Sequence, residues 1–113
     1  MIQKLSRVYI LDPGLQIKSG SNYDIVKKIS VFLKKEGCEI FILISKKYEY
    51  DVIKSLSQKR IEVIPIFSVS PFNSFLFCED INKYFSMIKQ TISDLKKFEE
   101  TFGKADFSIW SIP

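Results

Sequence analysis

The chain of 113 residues contains no histidine. This absence excludes Ser-His and Cys-His nucleophile pairs, histidine-based metal sites and histidine general bases. Arginine is almost as scarce, because Arg7 and Arg60 are the only two. Sequence-specific nucleic-acid recognition favours arginine for its bidentate guanidinium group, so we expect no nucleic-acid partner.

Cysteine is rare and long apolar runs are missing. Cys38 and Cys78 lie 40 positions apart and match no metal-binding or redox spacing, so we expect two reduced structural thiols. No apolar run approaches the roughly 20 residues of a membrane-spanning helix. The first residues also lack the apolar core and the cleavage site of a signal peptide. These features predict a cytoplasmic domain without a metal or a cofactor.

The net charge is +4, and lysine supplies nearly all of the positive charge. The lysines often occur in pairs, which are Lys27-Lys28, Lys34-Lys35, Lys46-Lys47 and Lys96-Lys97. Such pairs are typical of solvated helix faces and loop tips. A second interpretation stays open, namely peripheral contact with the anionic inner face of a membrane, to which each nearby lysine contributes about 1 kcal/mol.

Four short apolar runs predict strands in a single domain that spans residues 1–113. The runs are Val8–Leu11, Ile40–Ser45, Ile61–Phe67 and Phe107–Ile112. Their apolar character is continuous rather than alternating, which is typical of parallel strands that are covered on both faces.

Three amphipathic segments separate these runs and predict helices. Their apolar positions extend over Ile25–Leu33, Val52–Leu56 and Ile81–Phe102. Gly37 and Gly103 follow the first and third segments, and glycine commonly ends a helix. Asp80 precedes the third segment, where an acidic residue suits the positive end of the helix.

The alternation of strands and helices predicts an open, doubly wound, Rossmann-like parallel sheet with strand order 3-2-1-4. Pro65 lies in the third strand, which supports an edge position, because proline cannot donate a ladder hydrogen bond. The fourth strand would form the opposite edge, apolar and uncovered. We therefore expect an incomplete domain, either the N-terminal part of a longer chain or a domain paired with a second subunit.

Open α/β sheets bind ligands beyond the carboxyl ends of their strands, beside the first strand. In this sequence that position is the segment from residue 12 to residue 24. Gly14 permits a turn, and Gly20 and Ser21 offer free backbone N–H groups at a helix start, which suit an anion or a sugar hydroxyl. A purely structural role also stays open, because glycine, serine and asparagine are common at any strand–helix junction.

Four segments together resemble the N-terminal half of the GT-B glycosyltransferases. They are Val8–Leu15, Ser19–Tyr23 at the start of a helix, Gly37–Ile40 before the second strand, and Lys104–Trp110. The resemblance spans essentially the whole chain.

The resemblance implies that this half holds the acceptor, while a C-terminal half that is absent here holds the nucleotide sugar. The loop that contains Gly14 would lie in the cleft between the halves, and Gly20, Ser21, Asn22 and Tyr23 would face it. The sequence lacks both the histidine that many relatives carry and the donor-binding half with its paired glutamates. We therefore expect that this chain alone has no transferase activity.

Asp12 is the best placed ionisable residue for catalysis, because it follows the first apolar run directly. It could act as the general base that takes a proton from an acceptor hydroxyl. Its structural alternative is an Asx turn ahead of Pro13 and Gly14.

Two other classes of protein compete with this interpretation. A phosphoacceptor receiver-like module would need further acidic residues near Asp12 and an aspartate at the end of the third strand, which instead ends in Phe67-Ser68. A non-catalytic α/β interaction domain would pair through its last strand.

Overall fold

Strands and helices alternate along the chain in the order that the apolar periodicity predicts. The computed structural model describes residues 6–16, 18, 21–69 and 80–111. The strands are β1 (Arg7–Asp12), β2 (Glu39–Ser45), β3 (Ile61–Phe67) and β4 (Phe107–Trp110), and the helices are α1 (Ser21–Lys35), α2 (Tyr50–Leu56) and α3 (Ile81–Phe102).

The strands form one parallel sheet in the order β3-β2-β1-β4. This arrangement confirms the predicted doubly wound α/β fold and its strand order. β1 pairs with β2 along its whole length, from Arg7 opposite Glu39 to Asp12 opposite Ile44. β1 and β2 are therefore the central strands.

Both faces of the central strands are buried, as their continuous apolar sequences predict. Alternate strand residues point to opposite faces, so Val8 and Ile10 join the apolar cluster under α1 and α2. Tyr9 and Leu11 join a second cluster with Phe98 of α3 on the other face. Each of the four β1 residues is at most 1% exposed, and full burial of such a side chain contributes about 1.5–3 kcal/mol.

α1 ends in a Schellman motif around Gly37. The Cys38 N–H donates to the Leu33 carbonyl (3.1 Å) and the Gly37 N–H donates to the Lys34 carbonyl (3.0 Å). Gly37 has a φ of 84°, a conformation that other residues adopt only at a cost. The predicted helix end is therefore confirmed. Cys38, just after it, is a buried free thiol as expected, whereas Cys78 lies outside the described residues.

α3 begins and ends at the predicted residues. The Asp80 carboxylate accepts a hydrogen bond from the Asn82 N–H (2.9 Å) and caps the helix start. At the other end the Gly103 N–H donates to the Glu99 carbonyl (2.8 Å). α3 has 22 residues, yet none of the helices in the described residues is long and apolar enough to cross a membrane.

The two edges of the sheet differ. Ile44 lies opposite Pro65, but the next β2 residue, Ser45, lies opposite Phe67, so the register of β3 shifts at its proline. The predicted edge position of β3 is confirmed. β4 forms the other edge, where Phe107 is 54% exposed and Trp110 is 38% exposed, which confirms the predicted exposure of this strand.

Replacement of Gly37 by alanine should lower the free energy of unfolding by about 1 kcal/mol. A Cβ at this position would meet no atom within 4 Å, so the cost comes from the positive φ alone. Gly37→Asn should cost less, because asparagine tolerates positive φ better than alanine. Urea denaturation of both variants measures the difference, and equal losses for alanine and asparagine would contradict this explanation.

Candidate functional site

The carboxyl ends of the four parallel strands lie at the same end of the sheet and carry or precede polar residues. β1 ends in Asp12 and β2 ends in Ser45, while Ser68 and Ser111 directly follow β3 and β4. The Ser111 N–H donates to the carbonyl of Leu11 in β1 (2.9 Å). Ser111 therefore lies next to the end of β1, at the point where the strand order reverses and open α/β sheets bind ligands.

The first carboxylate oxygen of Asp12 organises the loop after β1. Asp12 Oδ1 accepts hydrogen bonds from the Gly14 N–H (3.1 Å) and from Asn22 Nδ2 (3.3 Å). The Leu15 N–H also donates to the backbone carbonyl of Asp12 (3.1 Å). The predicted Asx turn is thus confirmed, and three of the predicted site residues, Asp12, Gly14 and Asn22, lie together.

The second carboxylate oxygen of Asp12 has a different environment. Asp12 is 1% exposed, and no donor in the described part of the chain forms a hydrogen bond with its Oδ2. Burial raises the pKa of Asp12 from its ordinary 3.8 to about 6, because water no longer stabilises the charged form. Asn22, Gly14 and the nearby Ser111 side chain favour the charged form, but they do not offset the burial.

The remaining predicted site residues occupy other positions. Tyr23 is only 4% exposed, and its hydroxyl donates to Ser55 Oγ of α2 (2.8 Å), so its ring packs in the core. Ser21 is the first residue of α1. Gly20 lies outside the described residues, and its predicted role stays a prediction.

A second carboxylate, Asp94 of α3, lies beyond the end of β3. Its Oδ2 accepts hydrogen bonds from the Ser68 N–H (2.9 Å) and the Ser68 hydroxyl (2.8 Å), and its Oδ1 accepts one from Gln90 Nε2 (2.8 Å). Burial alone would raise the pKa of Asp94. These hydrogen bonds and the positive charge of Lys46 outweigh it, so the pKa of Asp94 lies below its ordinary value.

Ser45 ties the loops after β1 and β2 together. Its Oγ accepts hydrogen bonds from Gln16 Nε2 (3.3 Å) and from the Lys47 N–H (3.0 Å). The Gln16 carbonyl accepts a further bond from the Glu49 N–H just before α2 (2.7 Å). The described part of the loop after β1 is therefore held by Asp12 at Gly14 and by Ser45 at Gln16.

Sequence reasoning missed the serines and Asp94. A signal for the serines was present, because the apolar runs of β2, β3 and β4 are each followed or ended by serine. No comparable signal marked Asp94, which lies in the middle of an amphipathic helix. Within the described ranges, no three side chains of the His, Cys, Asp or Glu type are grouped so that they could hold a metal ion.

Comparison with known proteins finds no matching family model, no matching curated protein and no matching solved structure.

Asp12→Asn should stabilise the fold at neutral pH. In the wild-type protein the folded carboxyl has a pKa of about 6 and the unfolded one has 3.8. The folded state therefore keeps a proton that the unfolded state has released, and the free energy of unfolding falls as pH rises from about 4 to about 6. The free energy of unfolding falls by about 3 kcal/mol in total. Asparagine avoids this loss because it does not ionise, and its Oδ1 can still accept the hydrogen bonds from Gly14 and Asn22.

Asp94→Asn is the matched comparison and should have the opposite effect. The low pKa of Asp94 means that its ionised form contributes stability above the unfolded pKa, and this stability is lost as pH falls through the folded pKa. At pH 7 the Asp94→Asn variant should therefore be less stable than the wild-type protein. Denaturant titrations from acid to neutral pH measure both effects, and destabilisation of similar size in both variants would contradict the assignment.

Proposed function

We propose that this chain is the N-terminal, acceptor-binding half of a GT-B glycosyltransferase, which transfers a sugar from a nucleotide-sugar donor to a hydroxyl acceptor. The supporting observation is Asp12 at the switch point of the sheet, a buried carboxylate whose Oδ2 has no hydrogen-bond partner in the described residues. Unpartnered buried oxygens are rare because they are costly. In this proposal a separate donor-binding domain completes the enzyme, and the chain alone is inactive.

The two carboxylate oxygens of Asp12 have different roles in this proposal, Oδ1 a structural one and Oδ2 a chemical one. Oδ1 holds the loop through Gly14 and Asn22. Oδ2 has no such structural bond within the described residues and can accept a proton or a hydrogen bond from a ligand. The Asx turn therefore does not compete with a catalytic role, because it orients the carboxylate without occupying Oδ2.

The proton of the acceptor hydroxyl would pass to Asp12 Oδ2 during transfer. The acceptor oxygen forms the new glycosidic bond to the anomeric carbon of the donor sugar, and the nucleotide leaves with the bonding electron pair. A carboxylate with a pKa of about 6 is a stronger base than an ordinary aspartate, and it is still mostly ionised at pH 7. Transfer should therefore increase as pH rises through about 6.

An acceptor reaches Oδ2 only after local opening, because Asp12 is 1% exposed. Its neighbours Gly14 and Asn22 are partly exposed and would be the first groups that a sugar contacts. Little of the Tyr23 ring is accessible. This residue of α1 therefore supports the site from the core, by packing and by its hydrogen bond to Ser55. Gly20 and Ser21 keep their proposed role in backbone contact with the acceptor.

The proposal includes a cytoplasmic location, with peripheral contact at the inner membrane face. The outer surface of α1 supports this part, because Phe32 is 62% exposed and Lys27, Lys28 and Lys35 line the same groove. An exposed aromatic ring among lysines suits an anionic lipid surface. Asp24 is the acidic residue in this groove and partly offsets the charge.

A second candidate is a non-catalytic interaction domain that pairs through its last strand. The exposed apolar edge of β4 favours it, since Phe107 leaves more than half of its surface in contact with solvent. The two candidate functions make different predictions for the carboxyl ends of the strands. Only the glycosyltransferase proposal needs a sugar to bind beside Asp12.

Nuclear magnetic resonance titration of the purified chain tests the proposal. Hydroxyl acceptors such as simple glycosides should shift the backbone amides of Gly14, Asn22 and Ser111, because these groups surround the carboxylate. Nucleotide sugars should leave the same amides unshifted, because their binding domain is a different one. Asp12→Asn should weaken acceptor binding by about tenfold through loss of a charge-assisted hydrogen bond.

The matched control is Asp51→Asn, which changes an exposed carboxylate on α2 and should leave acceptor binding unchanged. Shifts that appear with nucleotide sugars instead of acceptors would contradict the assignment of this half. An acceptor affinity that is identical in Asp12→Asn and wild-type protein would remove Asp12 from the site.

A further inference from the structure

The two edges of the sheet present different surfaces to solvent. On β3 the edge is interrupted by Pro65 and by the register shift beside it, and it carries the exposed charge of Glu62. Proline, bulges and charges are the features that prevent edge strands from pairing with other chains. β3 is therefore protected against strand addition.

β4 has none of these features along its four residues. Phe107-Ser108-Ile109-Trp110 contains no proline and no charge, and its pairing with β1 keeps one register from Val8–Phe107 to Leu11–Trp110. In the part of the chain that the structure describes, no strand pairs with the outer side of β4. Alternate backbone N–H and C=O groups of such an edge point outward and can bind another strand.

The side chains of β4 add apolar surface to this edge. Phe107 and Ile109 share one face of the sheet, because Phe107 lies opposite Val8 and Ile109 lies opposite Ile10. Phe107 is 54% exposed, although Ile109 packs partly against the core under α1. Burial of the exposed part of Phe107 would stabilise any chain that pairs here.

We propose that β4 pairs with β4 of a second copy of this chain, antiparallel and around a two-fold axis. The axis would join the two four-stranded sheets edge to edge into one continuous sheet. A two-fold axis perpendicular to the sheet makes the two copies of the strand antiparallel, and a closed dimer follows because each copy has one such edge. This inference does not depend on the proposed acceptor site.

The sequence of β4 suits pairing with itself. With the axis at Ser108, Phe107 of each copy lies opposite Ile109 of the other, on the same face, as antiparallel pairing requires. Aromatic and β-branched residues in opposite positions stabilise a strand pair, whereas like charges destabilise it. The strand contains no charge, so no like charges meet within the pair. A second copy therefore supplies the extended, uncharged and apolar strand that this edge accepts.

The test is sedimentation of the full chain over a wide range of concentrations. Wild-type protein should show a concentration-dependent equilibrium between monomer and dimer. Phe107→Lys should raise the dissociation constant of the dimer about tenfold or more, because it brings a lysine from each copy to the paired edge. The control Phe85→Lys makes the same change at a ring on α3 with similar exposure, 51%, and should leave the dimer unchanged.

Hydrogen exchange of the wild-type protein gives a readout that does not depend on any variant. The outward amides of β4 should exchange more slowly as the protein concentration rises, while those of β3 should not change. Circular dichroism shows whether Phe107→Lys keeps the fold.

Three outcomes would overturn the proposal. The first is a wild-type monomer at every concentration, which would leave the edge to a different partner protein. The second is loss of the dimer in Phe85→Lys but not in Phe107→Lys. The third is hydrogen exchange at the β4 amides that does not depend on protein concentration.

Discussion

The parallel pairing of β1 with β2 is the constraint from which the rest of the structure follows. Each residue of β1 from Val8 to Leu11 is buried, and the side chains alternate between two apolar clusters. A strand with this sequence cannot lie at a solvated face, so the sheet needs helices on both sides. α1 and α2 cover one face and α3 covers the other, and parallel strands in such a sheet are usually connected by right-handed crossovers. The order 3-2-1-4 satisfies this requirement, and it places the carboxyl end of β1 between those of β2 and β4.

The central position of β1 also determines the chemistry of Asp12. A carboxylate at the end of a fully covered strand is shielded from water, and its pKa rises to about 6 because two hydrogen bonds to Oδ1 do not replace full hydration. Asp94 has the same side chain and is also buried, but it accepts three hydrogen bonds, two of them from Ser68, and its pKa falls. Asp12 is buried more deeply than Asp94, so burial dominates the pKa of Asp12, whereas the hydrogen bonds from Ser68 and Gln90 and the charge of Lys46 dominate the pKa of Asp94. Of the two, only Asp12 has an oxygen that is left without a donor in the described residues.

Much of the fold could be predicted from the sequence, because each central element carries a pattern that depends only on neighbouring residues. The continuous apolar run of β2 and the long stripe of α3 identify those elements directly, and Pro65 identifies the β3 edge. The candidate site was harder to predict. Asp12 and Asn22 are close in sequence and were both predicted, but Ser111 reaches Asp12 from the far end of the chain through the β1–β4 pairing. Tyr23 was predicted at the cleft, yet the helical rotation of α1 directs it toward Ser55 of α2. Such contacts depend on the topology, which no local pattern contains.

Ser111 connects the exposed edge strand β4 to the carboxylate of Asp12. Ser111 follows β4 directly and donates its N–H to Leu11, so its place beside Asp12 depends on how firmly β4 is held against β1. β4 is short, and among the described strands it is hydrogen-bonded to β1 alone. A strand with one neighbour frays more readily than one with two, because fewer hydrogen bonds must break. A second strand on the outer side of β4 would therefore hold Ser111 in place and favour the ionised form of Asp12, since the Ser111 side chain lowers the pKa of that group. In the proposed dimer, pairing at β4 would therefore lower the basicity of Asp12 through Ser111.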